Sequence, residues 1–268
     1  MPTARHSERR RQLIVEDDPS AKESGVGQTP ARSSVALICE VHQLGLVDYE
    51  KAWALQRELA GRRAVGEISD TLLLLQHPPV YTTGKRNAES NLRFPAEMLG
   101  APLVVSDRGG DITFHGLGQL VAYPIIDLRA ARLGVVDYVR NLEEVILRTL
   151  RDFRIESGLE CGLTGVWVGS DKIAAIGVRV SRPVGASGAW VTTHGLALNV
   201  DVDLAWFERI VPCGIVDRGV TSMKEVLEQA PPLTEVADHL VTHFGLVFGR
   251  EIRSADGMSL PTPRSIAV

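Results

Sequence analysis

The chain has 268 residues, 44% apolar and 23% charged, which suits one domain of generous size with tails. A net charge of −4 gives no reason to expect nucleic acid or an anionic membrane as partner, and no apolar run approaches the length of a transmembrane helix. Three unclustered cysteines, Cys39, Cys161 and Cys213, argue for a reducing, cytoplasmic setting and against a disulfide framework or zinc site.

Residues 1–34 hold Arg, Glu, Asp, Ser, Gly and Pro with almost no apolar periodicity, and are expected to form a disordered leader. Residues 35–41 read as a strand. Asp48 can cap a helix running to about Ala64, with Trp53, Leu55 and Leu59 inward. A buried strand over 71–75 ends at Gln76-His77-Pro78-Pro79, and 80–83 resumes extended before Gly84. An apolar run at 102–105 then leads into RGGDITFHGLGQLVAYP, residues 108–124, read most simply as strand, glycine-rich turn, strand. Helical spacing covers 135–153. Strand-like runs follow at 165–168, 173–180 and 190–200, with a turn at 183–188 between the last two. A short helix over 203–210 closes at Val211-Pro212-Cys213-Gly214, and an amphipathic helix spans 233–248. Strands in clusters, rather than strict β-α-β alternation, predict an α+β fold: a mixed β-sheet flanked by helices over 35–250, with a tail at 251–268.

Single residues that could carry chemistry each have a plainer reading. The Gly109-Gly110 pair can present backbone N–H groups to a phosphate, a carboxylate or a developing oxyanion, but such turns are common. Lys172 opens an apolar strand, where a lysine usually points into water. Cys213 sits between Pro212 and Gly214 with no apolar periodicity, against the ordinary reading of a buried thiol. His194 precedes Gly195 on a strand and reads alone as a core imidazole. His239-x-x-x-His243 has metal spacing on a helix but lacks the Glu and third ligand of a zinc hydrolase, which leaves a surface pair. There is no G-x-x-x-x-G-K-[ST] loop and no G-x-S-x-G elbow.

Taken in order, these motifs resemble the octanoyltransferase family, the lipoyl(octanoyl)-[acyl-carrier-protein]:protein transferases. Arg108, Gly109, Gly110, Thr113, Phe114, His115, Gly118, Gln119, Tyr123 and Pro124 fall on its signature. Lys172-Ile173-Ala174 with Gly177, His194-Gly195-Leu196-Ala197-Leu198-Asn199, Pro212-Cys213-Gly214 and the early His77-Pro78 segment follow its other motifs. The resemblance covers roughly residues 35–230. It implies a biotin/lipoate protein ligase-like catalytic domain in which Cys213 is the catalytic thiol and Lys172 its base and thiolate stabiliser. It also implies acyl-group binding by Arg108, Gly109, Gly110, Asp111, Ile112, Thr113, Phe114 and His115, by Ala175, Ile176 and Gly177, and by Gly195, Leu196 and Ala197. For Ala197, tight strand packing is the plainer account. His115 and His77 would orient groups around the thiol. The implied donor is octanoyl-acyl carrier protein. The implied acceptors are apo lipoyl domains of 2-oxoacid dehydrogenase complexes and the glycine cleavage H protein, with no cofactor, no metal and a monomeric enzyme. Thioester transfer to an amine runs downhill without ATP. The nearest rival is an ATP-dependent lipoate or biotin protein ligase, which needs an adenylate-binding loop and no thiol; a non-catalytic module holding acylated carrier protein is a third reading.

Overall fold

Four consecutive leucines, Leu72, Leu73, Leu74 and Leu75, cannot alternate between core and water, so their strand must be covered on both faces. The computed structural model, which describes residues 37–84, 91–183, 188–211 and 218–255, shows that cover. In chain order the elements are β1 (Leu37–Leu46), α1 (Tyr49–Ala64), β2 (Asp70–Gln76), β3 (Val80–Thr83), β4 (Leu103–Val105), β5 (Thr113–His115), β6 (Gln119–Ile125), α2 (Val135–Asp152), β7 (Gly158–Glu160), β8 (Leu163–Val168), β9 (Asp171–Ser181), β10 (Val191–Asn199), α3 (Met223–Leu227), α4 (Leu233–Phe248) and β11 (Arg250–Ser254). The main sheet has eight strands in the order β11-β1-β2-β6-β10-β9-β8-β7. It is mixed, because β1 pairs parallel with β2 and β11 while β2, β6, β10, β9, β8 and β7 pair antiparallel in succession.

The leucines divide by pleat. Leu72 and Leu74 join a core with Leu142 and Ile146 of α2 and Leu240 and Phe244 of α4. Leu73 and Leu75 join a second core with Leu55 and Leu59 of α1. The Asp48 carboxylate caps α1 by accepting from the Glu50 and Lys51 N–H groups at 3.1 and 3.3 Å, as its sequence context predicts. Trp53 of α1 is only half-buried, so the inward face is carried by Ala52, Leu55, Leu59 and Ala60.

Around the glycine-rich turn the structure differs from a strand–turn–strand unit. β3 is the centre of a separate three-stranded sheet, parallel to β4 on one side and antiparallel to β5 on the other. The loop between β4 and β5 therefore crosses β3, and the apolar run after it, β6, belongs to the main sheet. Arg108 in that loop donates to the Thr82 carbonyl of β3 at 2.6 Å, which holds the crossing. The strand β11 extends the sheet past residue 250. Its alternating charges read as tail because it is an exposed edge strand. The expected leader, the turn residues 184–187 and residues 256–268 lie outside the described residues.

One buried carboxylate ties three elements together. Asp70 of β2 accepts from Nε of Arg63 in the last turn of α1 at 2.7 Å and from Nε of Arg250, the first residue of β11, at 2.8 Å. The Asp70 and Arg250 side chains are 3% and 4% exposed, so removing the carboxylate would strand a charge in the interior. Asp70→Ala should lower unfolding free energy by about 3–5 kcal/mol, read as a fall in urea midpoint at unchanged slope. A loss below about 1 kcal/mol would show the pair to be merely peripheral.

Candidate functional site

In the register of β9 and β10, Gly177 lies opposite Gly195. Both positions are crowded from outside the strand pair. A Cβ on Gly195 would come within 2.1 Å of the Ala122 carbonyl oxygen on β6, and one on Gly177 within 2.9 Å of the Gly109 carbonyl oxygen. Only glycine allows β10 and the 108–110 turn to close in this far. The Gly109 N–H donates to the Val178 carbonyl at 2.9 Å, docking the turn onto β9. That N–H is therefore unavailable for the oxyanion role expected of the turn.

A slot open to solvent lies between the turn and the two strands. It is lined by Arg108, Gly110, Asp111, Thr113 and His115 from the turn and β5, by Ala175, Ile176 and Gly177 of β9, and by Gly195, Leu196 and Ala197 of β10. Three other residues expected to bind the acyl group are not in the lining. Ile112 and Phe114 point the opposite way from Thr113 and His115 and pack into a third core with Tyr81 and Phe207. Gly109 borders an adjoining groove with Asp107 and Arg179. The slot is also lined by Tyr49 and Tyr123, which residue-by-residue reading missed, and by His194, which it read as a core imidazole. Tyr123 and His194 stand within the recognised motifs. Tyr49 carried no signal beyond following the α1 cap.

The floor is built of aromatic rings that stay uncharged. Tyr49 stacks on His115 at 5.8 Å and meets His77 edge-on at 5.2 Å. His77 Nδ1 lies 2.7 Å from the Val47 carbonyl; a carbonyl only accepts, so Nδ1 carries the proton. Nε2 then accepts from the Tyr123 hydroxyl at 2.8 Å. Burial pulls the His77 imidazole down to about 4 and holds that of His115 well below its ordinary value. Burial likewise lowers His194, although Asp107 accepts from its Nε2 at 2.8 Å, and raises the Tyr123 phenol well above its ordinary range. His77 therefore supports the floor from behind Tyr123.

From this floor a hydrogen-bond chain leads to Lys172. His115 Nδ1 donates to Gln119 Oε1 at 2.7 Å, and Gln119 Nε2 donates to Asn199 Oδ1 at 2.9 Å. Asn199 Nδ2 donates to the Thr221 carbonyl at 3.0 Å, and the Thr221 N–H to the Lys172 carbonyl at 3.0 Å. Lys172 is buried at the start of β9, with Nζ 4.8 Å from the centre of the Trp167 ring. The plainer reading of a lysine pointing into water does not hold. Cys213 lies outside the described residues. Of the other thiols, Cys39 is buried and pushed up to about 12, chiefly by desolvation, and Cys161 is exposed.

This architecture is that of lipoate ligases. A bi-partite lipoate protein ligase from Thermoplasma acidophilum matches with a TM-score of 0.62 over 81% of this chain and 86% of its own, at 15% identity. Lipoate-protein ligase A bound with ATP gives 0.59 over 81% and 87%, at 16% identity. Likeness at such identities defines the fold class, a lipoate-ligase-like catalytic domain. The chain belongs to the lipoyl protein ligase A/B catalytic domain family, which matches residues 48–245. A protein named octanoyltransferase from Chloroflexus aggregans is 51% identical over 224 residues, 82% of this chain and 98% of its own length. One of the same name from Rubrobacter xylanophilus is 50% identical over 212 residues, 76% and 91%.

The neutral floor has a consequence for stability. An unfolded His77 titrates near 6.5 and the folded one near 4, so between those values the unfolded chain binds the extra proton. The contribution is complete above about pH 7, roughly 3 kcal/mol, and is lost as pH falls toward 4. His115 and His194 shift the same way and add to it. Urea unfolding of parent and His77→Gln across this range should show a shallower pH dependence for the variant. Parallel curves would mean that His77 is not held neutral by the fold.

Proposed function

We propose that this chain transfers an octanoyl group from octanoyl-acyl carrier protein to a lysine of a lipoyl domain, through a thioester on Cys213. The observation that carries the reading is a slot floored by neutral aromatic rings and lined by the strand that also carries a buried lysine, in a chain half identical to proteins named octanoyltransferase. An octanoyl chain offers about six methylenes worth roughly 0.8 kcal/mol each when buried, enough to favour it over acetyl by about 5 kcal/mol.

The chemistry proceeds by two exchanges at one carbonyl carbon. The Cys213 thiolate attacks the donor thioester, a carbon–sulfur bond to Cys213 forms, and the bond to the carrier's thiol breaks. The ε-amine of the acceptor lysine then attacks, a carbon–nitrogen bond forms, and Cys213 leaves as thiolate. The Lys172 ammonium stabilises the thiolate and gives its proton to the departing carrier thiol; as a neutral amine it then takes the proton lost by the acceptor lysine, which restores the starting thiolate–ammonium pair. A free thiol near its ordinary pKa of about 8.5 is only a few per cent ionised at neutral pH, which is why a neighbouring lysine matters. Arg108 and Asp111 at the slot mouth hold the turn: Arg108 grips Thr82, and Asp111 accepts from Asn91 Nδ2 at 2.7 Å and its neighbour's N–H at 2.6 Å. The acceptors in this reading are lipoyl domains of 2-oxoacid dehydrogenase complexes and the glycine cleavage H protein, met in the cytoplasm by a monomeric enzyme without cofactor.

Incubation with octanoyl-carrier protein alone, without ATP, should add one octanoyl mass, removable by hydroxylamine and mapping to the Cys213 peptide. Apo lipoyl domain should discharge it. Cys213→Ala should form no adduct, and Lys172→Met should slow its formation by about 10²–10⁴-fold, the scale of a lost acid–base group. A requirement for ATP, or an adduct on Cys39 or Cys161, would overturn the reading.

A further inference from the structure

Two histidines one turn apart on a helix share a face, and α4 carries His239 and His243 in that relation. The third ligand absent from the local sequence arrives from another helix. Asp152, the last residue of α2, lies between them: its Oδ2 accepts from His239 Nδ1 at 2.6 Å and from His243 Nε2 at 2.7 Å. The three candidate ligand atoms lie within 4.8 Å of one another, and among the described residues no other such cluster occurs.

We propose that Asp152, His239 and His243 form a binding site for a divalent transition-metal ion of the zinc class. Two imidazole nitrogens and one carboxylate oxygen suit Zn²⁺, Co²⁺ or Ni²⁺ and are too poor in oxygen for Mg²⁺ or Ca²⁺. A tetrahedral ion with ligands at about 2.0–2.2 Å holds them about 3.4 Å apart, so the two hydrogen-bonded contacts must open by less than about 1 Å. The side chains of Asp152 and His239 are 34% and 40% exposed, which leaves room for that movement and for water to complete the coordination. On binding, the ring nitrogens that now donate to Oδ2 must offer a lone pair instead, so each neutral imidazole carries its single proton on the other ring nitrogen. None of the slot-lining residues lies on α2 or α4, so the site is separate from the acyl-binding region. The ion would clamp the end of α2 to α4. Those helices already meet at their other ends, where the Tyr138 and Phe248 rings stand 5.8 Å apart.

The test uses the full chain, stripped with chelator and titrated with Co²⁺ as a spectroscopic probe, then with Zn²⁺ in competition. One equivalent of Co²⁺ should bind with visible d–d absorption and no thiolate charge-transfer band, and Zn²⁺ should displace it. Each ion should raise the melting temperature in a concentration-dependent way. His239→Ala and Asp152→Asn, at a half-buried and an exposed position, should melt near the parent in chelator yet bind Co²⁺ at least roughly 10–100-fold more weakly, no less than the loss of an outer-shell partner. Loss of octanoyl transfer from parent and variants alike would count against the proposed activity and leave the metal proposal standing. Absence of Co²⁺ and Zn²⁺ binding by the parent would reduce the cluster to a hydrogen-bonded clamp. Equal affinity in the His239→Ala chain, or a thiolate band in the parent, would place the ion elsewhere. Any of the last three outcomes overturns the metal proposal.

Discussion

Gly177 and Gly195 face each other across β9 and β10, and the slot depends on neither having a side chain. The absent side chain at 195 lets β10 approach the Ala122 carbonyl, and the absent side chain at 177 lets the 108–110 turn rest on β9. The sheet pays for this with two residues of low strand propensity at its centre. That cost is bearable because β10 is buried along its whole length and β6 beside it is equally enclosed. The Gly109 N–H to Val178 carbonyl bond and the grip of Arg108 on Thr82 then fix the turn from both sides. The turn thus becomes a rigid wall.

The floor contains three histidines and two tyrosines as neighbours, and burial keeps every shifted group in its neutral form against hydrogen bonds that favour the charged one. From the same side chains a hydrogen-bond chain runs toward Lys172. Gln119 and Asn199 are buried amides whose donors and acceptors are used along one chain, from His115 to the backbone that pairs with Lys172. Movement of the floor would reach Lys172 through two side-chain amides. Solved lipoate ligases share the fold at low identity, so the fold alone does not fix which chemistry follows.

Long periodic segments were legible from the sequence: α4 spans 233–248 as its spacing predicts, and α1 begins at the residue after its predicted cap. Failures came where partners are distant in sequence. β4 and β5 look like the arms of a turn, but both pair with β3, and only that pairing explains why the loop carries an arginine able to reach a strand carbonyl. β11 was hidden because an edge strand with charged side chains carries the composition of a tail. Within the candidate site, residues on contiguous motifs were found together, while Tyr49, contributed by a helix start far upstream, was not. Ile112 and Phe114 fall outside the slot lining because a motif lists residues consecutively whereas a pleat turns alternate ones away. His239 and His243 read as a surface pair for the matching reason: Asp152 lies 87 residues before His239.

The central claim is that the space left by the glycine pair is what holds the acyl chain. The most direct measurement is donor selectivity, comparing acetyl-, butanoyl- and octanoyl-carrier protein in parent and Gly177→Ala. A methyl group at 177 would meet the Gly109 carbonyl and the Arg108 Cδ, at 2.9 and 3.1 Å, and narrow the slot under the turn. The account predicts that octanoyl transfer falls by roughly tenfold or more, the scale of one misfitted methylene, while acetyl transfer changes little. An equal loss with all three donors, or an undiminished preference for octanoyl, would contradict it.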